Sequence, residues 1–234
     1  MSLLPSVPSM RNDIITGEFI EALRDYAFLM NRDYPRKSLL KLTGDRYMLN
    51  SFQRILLSRG IFNDRDVRGR IRKMVNKTGG QELYIDAYNV LFTVCNYLLG
   101  RMVFIGNDHF VRDTGEVYGK PHDDPVFARG INLCISYLEK KKPARVEFLL
   151  DSPVSHSAEL ARKLRNLLEE KGLPGDARIE RNPDSILIRL DRGIVATSDS
   201  DILNHTEMPV FDLARHILED RFDLHLPDLG RLLA

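Results

Sequence analysis

The chain has 234 residues, of which 43% are hydrophobic and 29% charged, with 34 Lys and Arg against 33 Asp and Glu. This composition is typical of a globular protein with a buried core and excludes an intrinsically disordered chain. The first residues lack a basic segment, and no apolar run approaches the ~18 residues that cross a bilayer, so we expect neither a signal peptide nor a membrane partner. Cys95 and Cys134 stand alone, which excludes a disulfide framework and indicates a reduced, cytoplasmic protein.

Charge is unevenly distributed along the chain. Residues 1–79 carry 15 Lys and Arg against 8 Asp and Glu, whereas residues 80–234 carry 19 against 25. The change falls at the cluster Lys77-Thr78-Gly79-Gly80, whose glycines are typical of a break between elements. The pattern predicts a basic domain over 1–79 and an acidic domain over 80–234. Random drift of surface charge is the alternative.

The first domain is predicted to be small and all-helical. Apolar residues recur at helical spacing in the stretches 19–30, 39–42 and 49–56. Pro35 is expected to end the first helix, because proline lacks an amide donor, and Gly44 is expected to end the second. Asn50 or Ser51 lies near the start of the third helix.

Arginine dominates the last helical segment of this domain, residues 64–75. Arg65, Arg68 and Arg72 are spaced at three and four residues, so they share one helical face, and Arg70 lies among them. One hypothesis is that Arg68, Arg70 and Arg72 hold the phosphate backbone of a nucleic acid. The alternative is a solvated helix surface with no binding role.

Beyond residue 81, short apolar runs alternate with helical patterns. The runs lie at 83–85, 102–105, 146–150 and 193–197, and the helical stretches lie at 90–99, 126–140, 157–171, 183–190 and 212–221. Near-continuous apolar strands separated by helices are typical of a parallel sheet buried on both sides. The sequence therefore predicts an α/β domain whose parallel sheet is covered by helices on both faces.

A carboxylate follows each of the four predicted strands. These acids are Asp86, Asp108, Asp151 and Asp199, with Asp201 two residues beyond the last. Since ligands bind at the carboxyl ends of the strands in an open parallel sheet, acids at these positions indicate a shared site. Each single Asp is also a common helix cap, so capping is the alternative.

Asp184 is a further candidate, because Asn182-Pro183-Asp184 is a helix start that precedes the last predicted strand. Its simpler role is to complement the helix dipole. Clustered carboxylates repel one another, and a divalent cation relieves that repulsion. Mg²⁺ and Mn²⁺ prefer oxygen ligands and activate water, so we expect metal-dependent hydrolysis at phosphorus.

Two segments resemble motifs of the PIN-like nuclease superfamily, including its NYN branch. The first is YIDAYNVLFTV, with Asp86 and Asn89, and the second is VATSDSDIL, with Asp199 and Asp201. The segment NPDSIL, with Asp184, resembles the acid-bearing helix start that precedes the last motif. More closely, NDHFVRDTGEVYGK, FLLDSPVSHSAEL and NRDYPRKSLLKLTGDRY resemble a mainly archaeal PIN-like family, over nearly the whole chain.

The resemblance implies a PIN-like, Rossmann-like fold and a Mg²⁺- or Mn²⁺-dependent nuclease that acts on single-stranded RNA. The implied metal ligands are Asp86, Asp184, Asp199 and Asp201, and the implied catalytic acids are Asp86, Asp151, Asp184 and Asp199. Asn89 organises the first turn and, with Ser198, is expected to contact the substrate. Many PIN domains place a Glu near the second strand. Here Asp108 and Asp113 lie in a predicted loop instead, so the number of metals stays open.

Other functions are less compatible with the residues. A phosphatase with Asp86 as nucleophile would need an acid two residues on, where Tyr88 stands, and a phosphorylated receiver domain would need paired acids and a late Lys. The main rival is an RNA-binding module of the same fold without an active site. The sequence leaves a homo-oligomer open.

Overall fold

The computed structural model describes residues 14–115, 124–152, 154 and 156–234. The chain divides into two compact units, and neither is a continuous stretch of sequence. The first contains the described residues within 1–71, 100–116 and 225–234, and the second contains those within 72–99 and 117–224. The charge pattern predicts a single domain boundary at residue 79, and it does not indicate that the two later segments belong to the first unit.

Helices and strands are numbered here along the chain. The helices are α1 (Gly17–Met30), α2 (Arg36–Arg46), α3 (Ser51–Gly60), α4 (Asp64–Lys73), α5 (Ala87–Leu98), α6 (Pro125–Lys141), α7 (Ser157–Glu170), α8 (Pro183–Ile188), α9 (Ser200–His205), α10 (Leu213–Arg221) and α11 (Leu229–Leu233). The strands are β1 (Glu82–Asp86), β2 (Val103–Ile105), β3 (Val111–Asp113), β4 (Arg145–Asp151), β5 (Gly175–Glu180), β6 (Ile194–Ala196) and β7 (Val210–Phe211).

The prediction of a helical N-terminal region is confirmed. Helix α1 buries Phe19, Leu23 and Tyr26, the apolar residues at helical spacing. It ends at Met30, before Pro35, which instead precedes the first residue of α2.

Two details of the next helices have local causes. Helix α2 runs through Gly44 to Arg46, so the expectation that Gly44 ends it is wrong. Gly44 has a packing role, because a Cβ atom there would collide with the Arg54 guanidinium. Helix α3 begins after Asn50, whose side chain and that of Gln53 cap each other's backbone amides.

The run 102–105 is a strand, but its predicted place in the parallel sheet is wrong. Strand β2 pairs antiparallel with β3 in a separate two-stranded sheet, with Val103 opposite Asp113. This hairpin belongs to the first unit. An apolar run identifies a strand, but its pairing partner is a tertiary property that local sequence does not carry.

The second unit contains a five-stranded sheet in the order β5-β4-β1-β6-β7, and all four strand pairs are parallel. Successive side chains of a strand point to opposite faces. The side chains of Leu83–Asp86, Val146–Leu150 and Ile194–Ala196 are all buried, so both faces of the central strands are covered. The predicted α/β architecture, a parallel sheet flanked by helices, is confirmed.

The sheet changes direction at β1. From β1 the chain builds outward through β4 to β5, and it then returns to the other side of β1 to form β6 and β7. In open α/β sheets this reversal leaves a crevice at the carboxyl ends of the strands. The carboxyl ends of β1 and β6 meet at this point. Among the described residues, no helix combines the length and apolar character needed to cross a bilayer.

Candidate active site

Asp86 is the last residue of β1 and the N-cap of α5. Its Oδ1 atom accepts a hydrogen bond from the backbone amide of Asn89 at 3.4 Å, and its Oδ2 atom accepts one from the Thr197 hydroxyl at 2.9 Å. The side chain is buried, with Asp86 7% exposed. Asp86 therefore caps a helix and also joins β1 to the loop that follows β6.

The loop after β6 is fixed by a second set of bonds. Asn89 accepts hydrogen bonds through Oδ1 from the Ser198 backbone amide at 2.9 Å and from the Ser198 hydroxyl at 3.1 Å. The Thr197 hydroxyl oxygen accepts the Asp199 amide at 3.0 Å. Two predicted site residues, Asn89 and Ser198, are thus in direct contact, and the first turn of α5 is joined to the start of α9.

Asp199 is the N-cap of α9. Its Oδ1 atom accepts the backbone amides of Asp201 at 2.8 Å and Ile202 at 3.2 Å. Asp201 is exposed, and its carboxylate lies 3.2 Å from Nδ1 of the His205 ring. Capping and metal binding are compatible for Asp199, because a carboxylate has a second oxygen.

Asp184 and Asp151 are not helix caps, although Asp184 lies in the first turn of α8, where its charge complements the helix dipole. The N-cap of α8 is Asn182, whose side chain accepts the Ser185 amide, so Asp184 is not the capping residue. Asp151 is the half-buried last residue of β4. Within the part of the chain that the structure describes, neither the Asp184 nor the Asp151 carboxylate has a hydrogen bond or an ion pair.

The acids lie within one another's electrostatic field. Burial raises the pKa of Asp86, and the charges of Asp184 and Asp199 raise it further, to about 7 despite the hydrogen bond from Thr197. Burial also raises the pKa of Asp184, with further contributions from Asp199, Asp151 and Asp201. Burial alone raises the pKa of Asp151. The carboxylates at this edge of the sheet thus destabilise one another's charged forms.

The donor chemistry fits a hard cation, whereas the present arrangement is open. Among the described residues, no three His, Cys, Asp or Glu side chains lie close enough together to enclose a metal ion. Mg²⁺ is usually held by one or two carboxylates, with waters and substrate phosphates completing its shell. Asp86, Asp184 and Asp199 are the residues that would hold it.

Comparison with known proteins identifies a family that contains this chain. The profile described as "Domain of unknown function (DUF5616)" matches residues 75–216. The chain belongs to this family. A second profile, described as "Protein of unknown function (DUF434)", matches residues 18–73.

The chain is 28% identical over 202 residues to "Uncharacterized protein MJ0935" of Methanocaldococcus jannaschii, which covers 85% of this chain and 96% of that protein. No solved structure matches. The DUF5616 region contains Asp86, Asp151, Asp184, Asp199 and Asp201, and the DUF434 region contains the arginine-rich helix. These descriptions name no activity, so any proposed function rests on the geometry and charge of the site.

Helices α8 and α9, which position Asp184 and Asp199, are held in place by two residues that no sequence motif identifies, Lys73 and Thr206. The Lys73 ammonium donates to the carbonyl oxygens of Leu203 and Thr206, both at 2.7 Å, at the C-terminal end of α9. The Thr206 hydroxyl donates to the Leu187 carbonyl of α8 at 3.3 Å. Lys73 therefore anchors the end of α9, the helix that Asp199 caps, and Thr206 links α9 to α8, the helix that carries Asp184.

The arginines of the DUF434 region divide into two groups. Arg65, Arg68 and Arg72 are exposed, as the spacing predicts. Arg70 is 1% exposed, so its inclusion in a surface phosphate-binding face is wrong. The apolar residue beside it, Ile71, is 41% exposed instead.

Arg70 is buried because it pairs with a carboxylate. Asp108, which is fully buried, accepts Arg70 at 2.6 Å and Arg112 at 2.6 and 2.7 Å. Burial alone would raise the pKa of Asp108, but the guanidiniums of Arg112 and Arg70 outweigh it and lower the pKa. Both guanidiniums also lie over the Phe62 ring. Asp108 is therefore part of a structural ion cluster, and the expectation that it follows a strand of the parallel sheet is wrong.

Proposed function

We propose that the protein is a PIN-like, metal-dependent nuclease that hydrolyses phosphodiester bonds in single-stranded nucleic acid, with RNA as the substrate. The observation that supports this most is the environment of Asp86. This carboxylate is buried between like charges, and its hydrogen-bond donors in the described residues are a hydroxyl and an amide, neither of them cationic. A bound cation would supply the missing positive charge.

The proposed cation is Mg²⁺ or Mn²⁺, held by Asp86, Asp184 and Asp199, with Asp201 at the edge of the site. When bound, such a metal lowers the pKa of a water molecule and neutralises charge on the phosphate. Thr197 fixes the Asp86 carboxylate through its 2.9 Å hydrogen bond. We assign the role of proton acceptor to Asp151. Its carboxylate is half-buried and has no hydrogen bond or ion pair among the described residues.

Attraction of the substrate must come from another part of the molecule, since a site lined with acids repels a polyanion. We assign that role to the exposed arginines Arg65, Arg68 and Arg72 of α4. Asn89 and Ser198 are assigned to the substrate side of the active site. Cytoplasmic location, the lack of a membrane partner and a homo-oligomer stay predictions.

One observation favours the rival function, an RNA-binding module without catalysis. The described acids do not enclose a metal ion. In that case the protein would bind RNA with equal affinity in EDTA and in Mn²⁺, and it would leave the strand intact.

Cleavage of a labelled single-stranded RNA in Mn²⁺ tests the proposal. Asp86→Asn and Asp199→Asn keep side-chain size and remove a charge, and we expect each to lower the rate by at least a hundredfold. Asp212→Asn is the matched control, because Asp212 is also a buried N-cap acid that follows a strand of the same sheet, β7. Because Asn caps a helix about as well as Asp does, this variant should retain both stability and cleavage. Full activity in both site variants, or no cleavage by the wild type, would reject the proposal.

A further inference from the structure

The end of α1 carries an aromatic ring in an unusual position for a small helical domain. Phe28 is 55% exposed, and the Arg32 guanidinium carbon lies 3.5 Å from the centre of its ring. Arg32 also donates a hydrogen bond to the Phe28 carbonyl at 3.4 Å. The guanidinium plane is therefore held on one face by the ring, and Arg32 itself is exposed.

Tyr34, 51% exposed, supplies a second ring in the same turn. The backbone amides of Arg32 and Tyr34 both bond to the Leu29 carbonyl, at 3.0 and 3.5 Å, which holds this turn against the end of α1. The exposed rings of Phe28 and Tyr34 lie in one short segment, and apolar side chains that are exposed together make a candidate contact surface for a partner.

This turn is joined to the arginine face of α4 by a pair of reciprocal hydrogen bonds. Asn31 donates to the Asp64 carboxylate at 3.1 Å and accepts the Asp64 amide at 2.7 Å. Phe28 lies in the last turn of α1, three residues before Asn31, which caps the end of that helix, and Arg68 lies four residues after Asp64 on α4. Residues at these spacings share a helical face, so Phe28 and Arg68 each lie one turn from this pair of hydrogen bonds.

We infer that Phe28, Arg32 and Tyr34 form a stacking platform for the bases of single-stranded nucleic acid, with Arg65 and Arg68 holding the phosphates beside it. Bases stack on aromatic rings and on guanidinium planes, and unpaired strands expose their bases for this purpose. Charge complementarity favours this partner, because residues 1–79 carry 15 basic against 8 acidic side chains. The inference deepens the proposed function, since it takes the same ligand, but it concerns binding and not cleavage.

The test is binding of a short oligoadenylate RNA to the full chain in EDTA, where no metal-dependent cleavage occurs. Arg32→Lys keeps the charge and removes the plane, and Phe28→Leu keeps apolar bulk and removes the ring. Each should weaken binding roughly fivefold or more, which is the loss typical of one stacked base. Arg24→Lys is the matched control, because Arg24 lies on the same helix and pairs with Glu21 rather than with a ring. It should bind as the wild type does.

An abasic strand of the same length separates stacking from charge. Arg32→Lys and Phe28→Leu should bind it as the wild type does, whereas Arg65→Ser with Arg68→Ser should weaken binding of both strands and reduce the salt dependence. Unchanged oligoadenylate affinity in Arg32→Lys and Phe28→Leu, equal losses on the abasic strand, or no binding by the wild type would each overturn the inference. A wild type that binds in this way without cleaving would reject only the proposed nuclease activity.

Discussion

The Thr197 hydroxyl connects two acids of the candidate site. It donates to Oδ2 of Asp86 at 2.9 Å and accepts the backbone amide of Asp199 at 3.0 Å. One side chain at the end of β6 thus sets the position of both the buried carboxylate and the N-cap of α9. Because Thr197 is 1% exposed, this arrangement is shielded from water.

Thr197→Val keeps the side-chain shape and removes the hydroxyl. The hydrogen bond from Thr197 lowers the pKa of Asp86, so its loss should raise that pKa further. We expect the acidic limb of the pH–rate profile to move to higher pH and Mn²⁺ affinity to fall about tenfold. Thr197→Ser retains the hydroxyl and should behave like the wild type. An unmoved pH profile in Thr197→Val would show that this hydroxyl does not act on Asp86.

The raised pKa of Asp86 predicts a pH dependence of stability in EDTA. The folded protein holds this proton up to about pH 7, whereas the unfolded chain releases it near the ordinary aspartate pKa of 3.8. Stability should therefore decline as pH rises from about 4 to 7 and then level off. At one pKa unit per ~1.4 kcal/mol, the contribution of Asp86 is at most about 4 kcal/mol.

Asp86→Asn should remove this decline, because an amide does not titrate. In chemical denaturation at pH 8 the variant should be more stable than the wild type, and near pH 4 the two should be alike. A variant that is less stable than the wild type at pH 8 would contradict an unfavourable charge on Asp86, because Asn caps a helix about as well as Asp does.

Lys73 should act on the proposed metal site through α9. Lys73→Met removes the ammonium that binds the Leu203 and Thr206 carbonyls, and Thr206→Val removes the hydroxyl bond to Leu187. Both changes should weaken Mn²⁺ binding about fivefold, and Lys73→Arg should restore part of it. Lys77→Met, at an exposed lysine of the same segment, is the control. If Mn²⁺ affinity in Lys73→Met equals that of the control, the anchor serves stability alone.

The buried and exposed arginines of α4 should behave differently. Arg70→Met leaves Asp108 with one fewer partner, and breaking a buried ion pair costs roughly 3 to 5 kcal/mol. Arg65→Ser with Arg68→Ser and Arg72→Ser should change stability little and reduce the salt slope of RNA binding by about 0.7 for each lost phosphate contact. Thermal melting and binding titrations at several salt concentrations measure the two effects. A lowered salt slope in folded Arg70→Met would contradict this division.

Local patterns were sufficient to predict the central strands and most helices. The apolar runs of β1, β4 and β6 and the helical spacing in α1 are properties of contiguous residues. Strand β5 was missed because it is an edge strand whose sequence, GDARIE, has no apolar run. Strand β7 was missed because only two residues form it.

The burial of Arg70 and the bonds of Lys73 could not be predicted for a different reason. Arg70 pairs with Asp108, 38 residues away, and Lys73 bonds to Leu203, 130 residues away. No periodicity carries information about such contacts. Asp86, Asp151 and Asp199 could be proposed as site residues because the carboxyl end of a parallel strand is recognisable in sequence. Thr197 could have been found by the same rule, since it follows β6 directly.

A calorimetric titration of Mn²⁺ at pH 8 tests the proposed metal site most directly, with the wild type, Asp86→Asn, Asp199→Asn and the control Asp212→Asn. We expect the wild type and Asp212→Asn to bind Mn²⁺ with the same affinity and the two site variants to bind at least tenfold more weakly. A wild type that takes up no Mn²⁺, or site variants that bind as tightly as the control, would contradict a metal site at Asp86 and Asp199.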